Sequence, residues 1–172
     1  MKISISANKI RVYDEVAKVT SYVGAKQVVA DATSYERIFT TDADRQLLEQ
    51  YWVEACSFAT ESMKRFLDSV VSQQMSSHVA IGNDYTIILN VSSQFNTSLS
   101  DSMEASLLAF FVNYIVAKWL ELTSKESSES YASTATSMLN DIKIKLHYKD
   151  APKRDSGGGD EGDEDDGGFY YG

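Results

Sequence analysis

The most apolar run of the chain is 107–122, which reads LLAFFVNYIVAKWLEL. A membrane-spanning helix needs about 20 consecutive apolar residues, whereas this run has sixteen positions and includes Asn113, Lys118 and Glu121. Its apolar residues fall on nearly every side of a helix, which is typical of a helix buried in a protein core. We therefore predict that this helix is the most buried element, with a capping arrangement between Asp101 and Glu104 at its start.

Three more helices are predicted from apolar residues at helical spacing. The first covers 9–23, with Asn8 as its N-cap and Gly24 as its stop signal. The second is predicted to be the longest, because it begins at Thr41 and its apolar face continues to Val70. The predicted buried face of the first helix is Ile10, Tyr13, Val16, Ala17, Thr20 and Val23, and that of the second is Leu48, Trp52, Ala55, Ala59, Met63, Phe66 and Val70.

The last predicted helix follows the capping box from Thr123 to Glu126. Its C-terminal end is basic, which complements the helix dipole. Its predicted buried residues are Tyr131, Ala135, Met138, Ile142 and Leu146, and its basic end comprises Lys143, Lys145, His147, Lys149, Lys153 and Arg154.

Two stretches alternate between polar and apolar residues, as β-strands do. Residues 2–6 read KISIS, which predicts either a short strand or a mobile leader. Around the turn residues 82–84 the chain alternates on both sides, which predicts a β-hairpin or a pair of short strands. The alternating apolar residues there are Val79, Ile81, Tyr85, Ile87, Leu89 and Val91. The overall prediction is a mainly α body with one small β-hairpin.

The formal net charge of −9 comes mostly from 155–172, which reads DSGGGDEGDEDDGGFYYG. Without this stretch, eighteen acids remain against sixteen bases, so the body lacks the basic excess of a general duplex-DNA binder. The stretch can bury too little apolar surface to offset the conformational entropy that it would lose on becoming ordered. We divide the chain into a helical body, 1–150, and a disordered acidic tail, 151–172, which docks through its aromatic tip, Phe169, Tyr170 and Tyr171.

The residue types that carry chemistry are not arranged as a catalytic, cofactor or metal site. The single cysteine, Cys56, excludes an internal disulfide and is expected to be a buried small hydrophobe, because no histidine lies within helical reach. His78 and His147 lack further ligands at metal-binding spacing. The acids at 160–166 do not follow the EF-hand order, and no G-x-S-x-G motif surrounds a serine. We therefore predict a protein that is not an enzyme.

The aromatic residues Trp52, Phe66, Phe110, Phe111 and Trp119 are expected to pack in the core. Part of this aromatic surface is a candidate contact with a neighbouring subunit.

The order of these elements resembles the small head–tail connector proteins, also called adaptor or neck proteins, of tailed phages and prophages. The matching pieces are E-V-A-K at 15–18, T-D-A-D-R at 41–45 with Leu47 and Leu48 behind it, Y-T-I-I-L at 85–89, and the helix pair from 101 to 148. The resemblance covers about residues 9–150 and implies a four-helix connector-type bundle.

The resemblance also implies a function. Such connectors form a ring, commonly twelve-fold, that binds beneath the portal, extends the DNA channel and presents a surface to the next neck or tail protein. DNA passes through without specific binding, and no membrane is involved. The protein would be located in the virion neck, and in the host cytoplasm during assembly. Phe169, Tyr170 and Tyr171 would anchor the tail in the portal, while the tail acids would repel phosphate or keep the tail extended.

One alternative comes from the tail alone. Acidic tails with an aromatic tip are similar to those of single-stranded-DNA-binding proteins, in which the tail recruits partners in DNA metabolism. Those proteins have OB-fold bodies built from many strands, whereas this sequence predicts a mainly helical body.

Overall fold

The computed structural model describes residues 1–27, 38, 40–41, 44–70, 84–123 and 125–148. Within these residues the protein is mainly helical, with four α-helices and one three-stranded antiparallel sheet, which confirms the predicted class. The acidic tail, 151–172, with Phe169, Tyr170 and Tyr171, lies outside the described residues. In chain order the elements are β1 (Lys2–Asn8), α1 (Lys9–Gln27), α2 (Arg45–Ser62), β2 (Leu67–Val70), β3 (Asp84–Asn90), a 3₁₀ turn (Thr97–Leu99), α3 (Ser100–Thr123) and α4 (Lys125–His147).

The sheet has the strand order β1-β3-β2, so the N-terminal strand pairs with a strand from the middle of the chain. Opposite residues such as Ile5 and Ile87 share one buried face, because side chains alternate along each strand. The Met1 amino group extends this ladder by donating to the Val91 carbonyl oxygen at 2.9 Å. The stretch at 2–6 is therefore a strand rather than a leader.

Of the predicted hairpin, the structure describes only the second strand, and this strand is confirmed. β3 is present, and its partners there are β1 and β2. The proposed first strand, with Val79 and Ile81, lies outside the described residues, as does most of the proposed turn.

The second helix is shorter than predicted. It begins at Arg45 rather than Thr41, whose hydroxyl instead donates to the Asp44 carboxylate at 2.8 Å. It ends at Ser62, and the chain then turns into β2, where the Asn90 amide donates to the Phe66 carbonyl oxygen at 2.6 Å. Residues 67–70 pair with β3 instead of continuing the helix. This pairing gives hydrogen-bond partners to backbone groups that a longer helix would leave unsatisfied at its end. The longest described helix is α3.

The first helix confirms its predicted N-cap, because the Arg11 amide donates to the Asn8 side-chain oxygen at 2.9 Å. Its predicted stop is wrong, because α1 continues through a buried Gly24 to Gln27. Its predicted face is also partly wrong, because Ile10 is 61% exposed. The fully buried positions are Val12, Val16 and Thr20, and Lys9 is buried beside them with its ammonium paired to the Glu49 carboxylate.

Helix α3 is extensively buried, as predicted, and lies at the centre of the fold. It contacts β1, α1, α2 and α4. In its middle, the ring of Phe111 stacks on that of Trp52 at 4.5 Å and lies 5.2 Å from that of Tyr85. The residues of α3 that are buried are Met103, Ser106, Leu107, Phe110, Phe111, Ile115, Val116, Ala117, Trp119 and Leu120.

The stretch Thr97–Thr123 is long and apolar enough to cross a membrane by length and composition. Half of its most apolar window is nevertheless buried against other parts of the protein, with Phe110 and Phe111 fully covered. This burial is the pattern of a core helix, as the interrupting polar residues predict.

The two predicted capping arrangements take different forms. The Glu104 carboxylate accepts hydrogen bonds from the Ser6 amide and hydroxyl, at 3.0 and 3.1 Å, and so joins α3 to β1. The Thr123 hydroxyl donates to the Trp119 carbonyl oxygen at 3.1 Å, which closes the end of α3. The side chain of Glu126 lies outside the described residues.

The last helix largely confirms its predicted buried face. Ala135, Ile142 and Leu146 are buried, Tyr131 and Met138 are partly buried, and the prediction missed Leu139, which is 2% exposed.

Substituting Phe111→Ala should lower the free energy of unfolding by about 3–5 kcal/mol, because it opens a cavity between α2, α3 and β3. Urea denaturation followed by circular dichroism measures this change. Tyr22→Ala is the matched control, since Tyr22 is 72% exposed, and it should change stability by no more than about 0.5 kcal/mol. If the two substitutions lowered the free energy of unfolding equally, the central position of Phe111 would be contradicted.

Candidate functional site

An open groove of about 590 Å³ lies between the end of β1, the start of α1 and one side of α3. Its charged side chains are Arg11, Glu15, Asp101 and Glu104, so three carboxylates face one guanidinium. Its apolar floor is formed by Ala105, Leu108, Ala109 and Val112, with Ser6, Ala7, Asn8 and Asn113 completing the lining. We call this surface the acidic groove.

The acidic groove exists because α3 is apolar on more sides than its neighbours cover. Ala105, Leu108 and Val112 recur at helical spacing but none of them is buried. The hydrogen bonds from Ser6 to Glu104 hold β1 against the same helix and fix one wall of the groove. Sequence reasoning missed this groove because an all-round apolar helix indicates burial without showing which side stays open.

A second surface lies at the C-terminal end of α4 and combines exposed apolar side chains with positive charge. Ile144 is 71% exposed and Tyr148 is 55% exposed. Lys143 and His147 lie beside them in the chain, and the His147 ring packs edge-on against Phe66 at 4.9 Å, next to Arg65 in the preceding turn. We call these residues, Arg65, Lys143, Ile144, His147 and Tyr148, the basic patch. The rest of the predicted basic end, Lys149, Lys153 and Arg154, lies outside the described residues.

A smaller cavity of about 100 Å³ separates α2, α3 and α4. Its aromatic wall is Phe58, which is 45% exposed and lies parallel to the Phe110 ring at 6.2 Å. Lys118 lies 5.9 Å from the centre of the Tyr114 ring on the same side. This cavity is too small for a cofactor, since ligand pockets are commonly about 300–1,000 Å³.

One cluster of serine, lysine and aspartate side chains has the composition of a hydrolytic site. The Ser106 hydroxyl donates to the Asp141 carboxylate at 2.6 Å, and the Lys145 ammonium lies 2.5 Å from the same carboxylate and 2.7 Å from the Ser102 hydroxyl. A serine nucleophile needs a base that accepts its proton, whereas here Lys145 is engaged as an ion-pair donor. The cluster therefore joins α3 to α4 and does not form a catalytic dyad.

Cys56, which we predicted to be an unreactive buried residue, is partly buried on α2 and packs against the core. Burial raises the pKa of the Cys56 thiol to about 12. A thiol in this environment carries almost no thiolate at neutral pH and is a poor nucleophile.

The described residues contain no group of three or more histidine, cysteine or acidic side chains that could hold a metal ion. His147 is exposed at the end of α4, and its ring nitrogen lies 2.7 Å from the Lys143 carbonyl oxygen. His78 and the acids at 160–166 lie outside the described residues.

The aromatic residues expected in the core are there. Trp52, Phe110, Phe111 and Trp119 are buried, and Phe66 is partly buried. The expected tail anchors, Phe169, Tyr170 and Tyr171, lie outside the described residues and remain predictions.

Comparison of the chain with protein-family models, with curated proteins and with solved structures finds no match.

Substituting Asp141→Asn should destabilise the protein by about 1 kcal/mol near neutral pH, since it removes a charge-assisted link between α3 and α4. Burial acts to raise the pKa of Asp141, but the hydrogen bonds from Lys145 and Ser106 hold it below its ordinary value. The stabilisation is thus present above the unfolded-state pKa of about 3.9 and is lost as the pH falls through the lower folded-state pKa.

Urea titrations of the wild type and of Asp141→Asn between neutral and acidic pH measure this difference. The stability gap should close below about pH 4. Glu129→Gln is the control, because Glu129 is exposed on the same helix. A gap for Asp141→Asn that stays constant with pH would contradict the charge-assisted link.

Alkylation of Cys56 by iodoacetamide should be at least about 100-fold slower in the native protein than in urea, because burial suppresses the thiolate. Mass spectrometry of quenched time points follows the modification. A native rate close to the unfolded rate would show that the thiol is accessible and activated.

Proposed function

We propose that the chain is a non-enzymatic structural protein of the neck of a tailed-phage virion. It forms a ring, commonly twelve-fold in the proteins it resembles, that joins the portal to the tail and extends the DNA channel. Its partners are the portal, other neck or tail proteins and further copies of itself, while DNA passes through without specific binding. It is located in the virion neck, and in the host cytoplasm during assembly.

The observation that carries this proposal is the order of the elements. After the N-terminal strand, a first helix, a second helix and a small β element precede a closing helix pair, and this helix order is that of the connectors that the sequence resembles. The closing pair is antiparallel, since Ser102 near the start of α3 contacts Lys145 near the end of α4.

The surface of the body supports an assembly role. The basic patch exposes Ile144 and Tyr148, and the acidic groove leaves Leu108 and Val112 only partly buried; accessible apolar surface of this kind is typical of protein–protein contact sites. The polar cluster that most resembles a catalytic site, around Ser106 and Asp141, serves instead to join two helices.

The alternative, a recruiter in DNA metabolism with a tail like that of single-stranded-DNA-binding proteins, receives no comparable support. An OB fold is a five-stranded barrel, whereas the described strands form a three-stranded sheet with α3 packed against β1.

Co-expression with the portal-like protein encoded at the same locus tests the proposal, with native mass spectrometry as the readout. We expect a complex that carries close to one copy of this chain per portal subunit. A chain that never associates with the portal would overturn the proposed function.

Deleting residues 155–172 should weaken portal binding without changing thermal unfolding, because the aromatic tip supplies anchors and the ring adds avidity. The triple substitution Phe169→Ser, Tyr170→Ser and Tyr171→Ser should have the same effect. A variant in which only the acids at 160–166 are neutralised is the matched control and should still bind. Unchanged binding after the deletion would contradict the anchoring role of the tail.

A further inference from the structure

Two surfaces of this protein carry opposite charge and lie on different elements. The acidic groove is lined by β1, α1 and α3, whereas the basic patch is formed by α4 and the turn before β2. No residue belongs to both surfaces, so one copy can use both at once.

Each surface carries a charge that pairs with no other residue in the part of the chain that the structure describes. Within the described part of the chain, Asp101 in the groove makes no ion pair, and neither do Lys143 and Arg65 in the patch. The lining of the groove has three acids and one base, Arg11, and one of these acids, Glu15, is paired with Lys18. The electrostatic potentials of the two surfaces are therefore complementary, which favours a specific encounter.

Both surfaces also offer apolar side chains to a partner. The floor of the groove contains Ala105 and Ala109, whose small side chains allow close approach, and Leu108 and Val112, which offer apolar contact. The patch offers Ile144 and Tyr148, which are 71% and 55% exposed. An aliphatic and an aromatic side chain are suitable anchors for a groove of about 590 Å³.

We infer that the acidic groove of one copy binds the basic patch of a second copy, with Asp101 facing Lys143 and Arg65, and with Ile144 and Tyr148 against the groove floor. The inference deepens the proposed ring and rests on that function. Because the two surfaces differ, the contact is head-to-tail, and head-to-tail contacts close into rings when the rotation between copies allows it.

Charge reversal in the full-length chain tests this contact by sedimentation velocity at low salt over a range of concentrations. We expect the wild type to self-associate, and Asp101→Lys and Lys143→Asp each to weaken association by about tenfold or more, because each places like charges together. Glu129→Lys is the matched control on the exposed face of α4, outside both surfaces, and it should associate like the wild type. Thermal unfolding of each variant confirms that the chain is folded.

The decisive sample is an equimolar mixture of Asp101→Lys and Lys143→Asp. The lysine of one groove then faces the aspartate of the other patch, and the reverse contact also pairs opposite charges, so the mixture should associate more tightly than either variant alone. The double variant, with both changes in one chain, should associate for the same reason.

A wild type that stays monomeric, single variants that associate normally, or a mixture that fails to recover association would each overturn the contact. A chain ending at residue 154 should associate like the wild type; loss of association would show that the tail carries the contact between copies and would also overturn it. Portal binding is measured separately, so a chain that binds the portal without this contact refutes only the contact. A chain that self-associates as expected but never binds the portal refutes only the neck function.

Discussion

The stacking of Phe111 on Trp52 is the contact on which the rest of the structure depends. It brings α2 onto α3 at a ring separation of 4.5 Å, and the Tyr85 ring on β3 packs against the same phenylalanine at 5.2 Å. The Tyr85 hydroxyl lies 2.9 Å from that of Thr60 on α2, so a polar contact also joins β3 to α2. A helix as apolar as α3 is stable in water only when neighbours cover it on several sides, and this requirement explains why so many elements converge on it.

The same requirement explains how the neighbours of α3 are held in place. The Trp119 indole nitrogen donates to the Ile38 carbonyl oxygen at 2.6 Å, which fixes the chain just before α2 against α3. Glu104 holds β1, and the cluster of Ser102, Ser106, Asp141 and Lys145 holds α4. Glu104 was expected in a capping arrangement, and the Ser106–Asp141–Lys145 cluster has the composition of a hydrolytic site, but both position an element against the central helix. The coverage remains incomplete beside α1, and the resulting gap is the acidic groove.

An incompletely covered core helix connects the fold to assembly. Apolar surface that one chain cannot cover by itself is available to a partner, and the charges around it influence which partner binds. In this protein the groove is acidic and the end of α4 is basic, so the basic patch of a second copy complements the charge of the groove. The proposed ring would then use the same central helix twice, as the core of each subunit and as the floor of each contact between subunits.

The sequence by itself determined the mainly helical class, the burial of α3, the Asn8 cap and the packing of Cys56 against the core, because each of these follows from the local pattern of polar and apolar residues. For residues 2–6 the local pattern left a strand and a mobile leader both open, and pairing with β3 decided for the strand. The sequence did not determine where the second helix ends, since Met63, Phe66 and Val70 have the spacing of a helix face and only pairing with β3 makes a strand of 67–70. Nor did it predict that Ile10 would be exposed while Lys9 is buried, because that choice depends on Glu49, forty residues away. The partners of Glu104 and the open side of α3 were likewise decided by the tertiary structure. They depend on contacts between residues far apart in the chain, which local spacing does not encode.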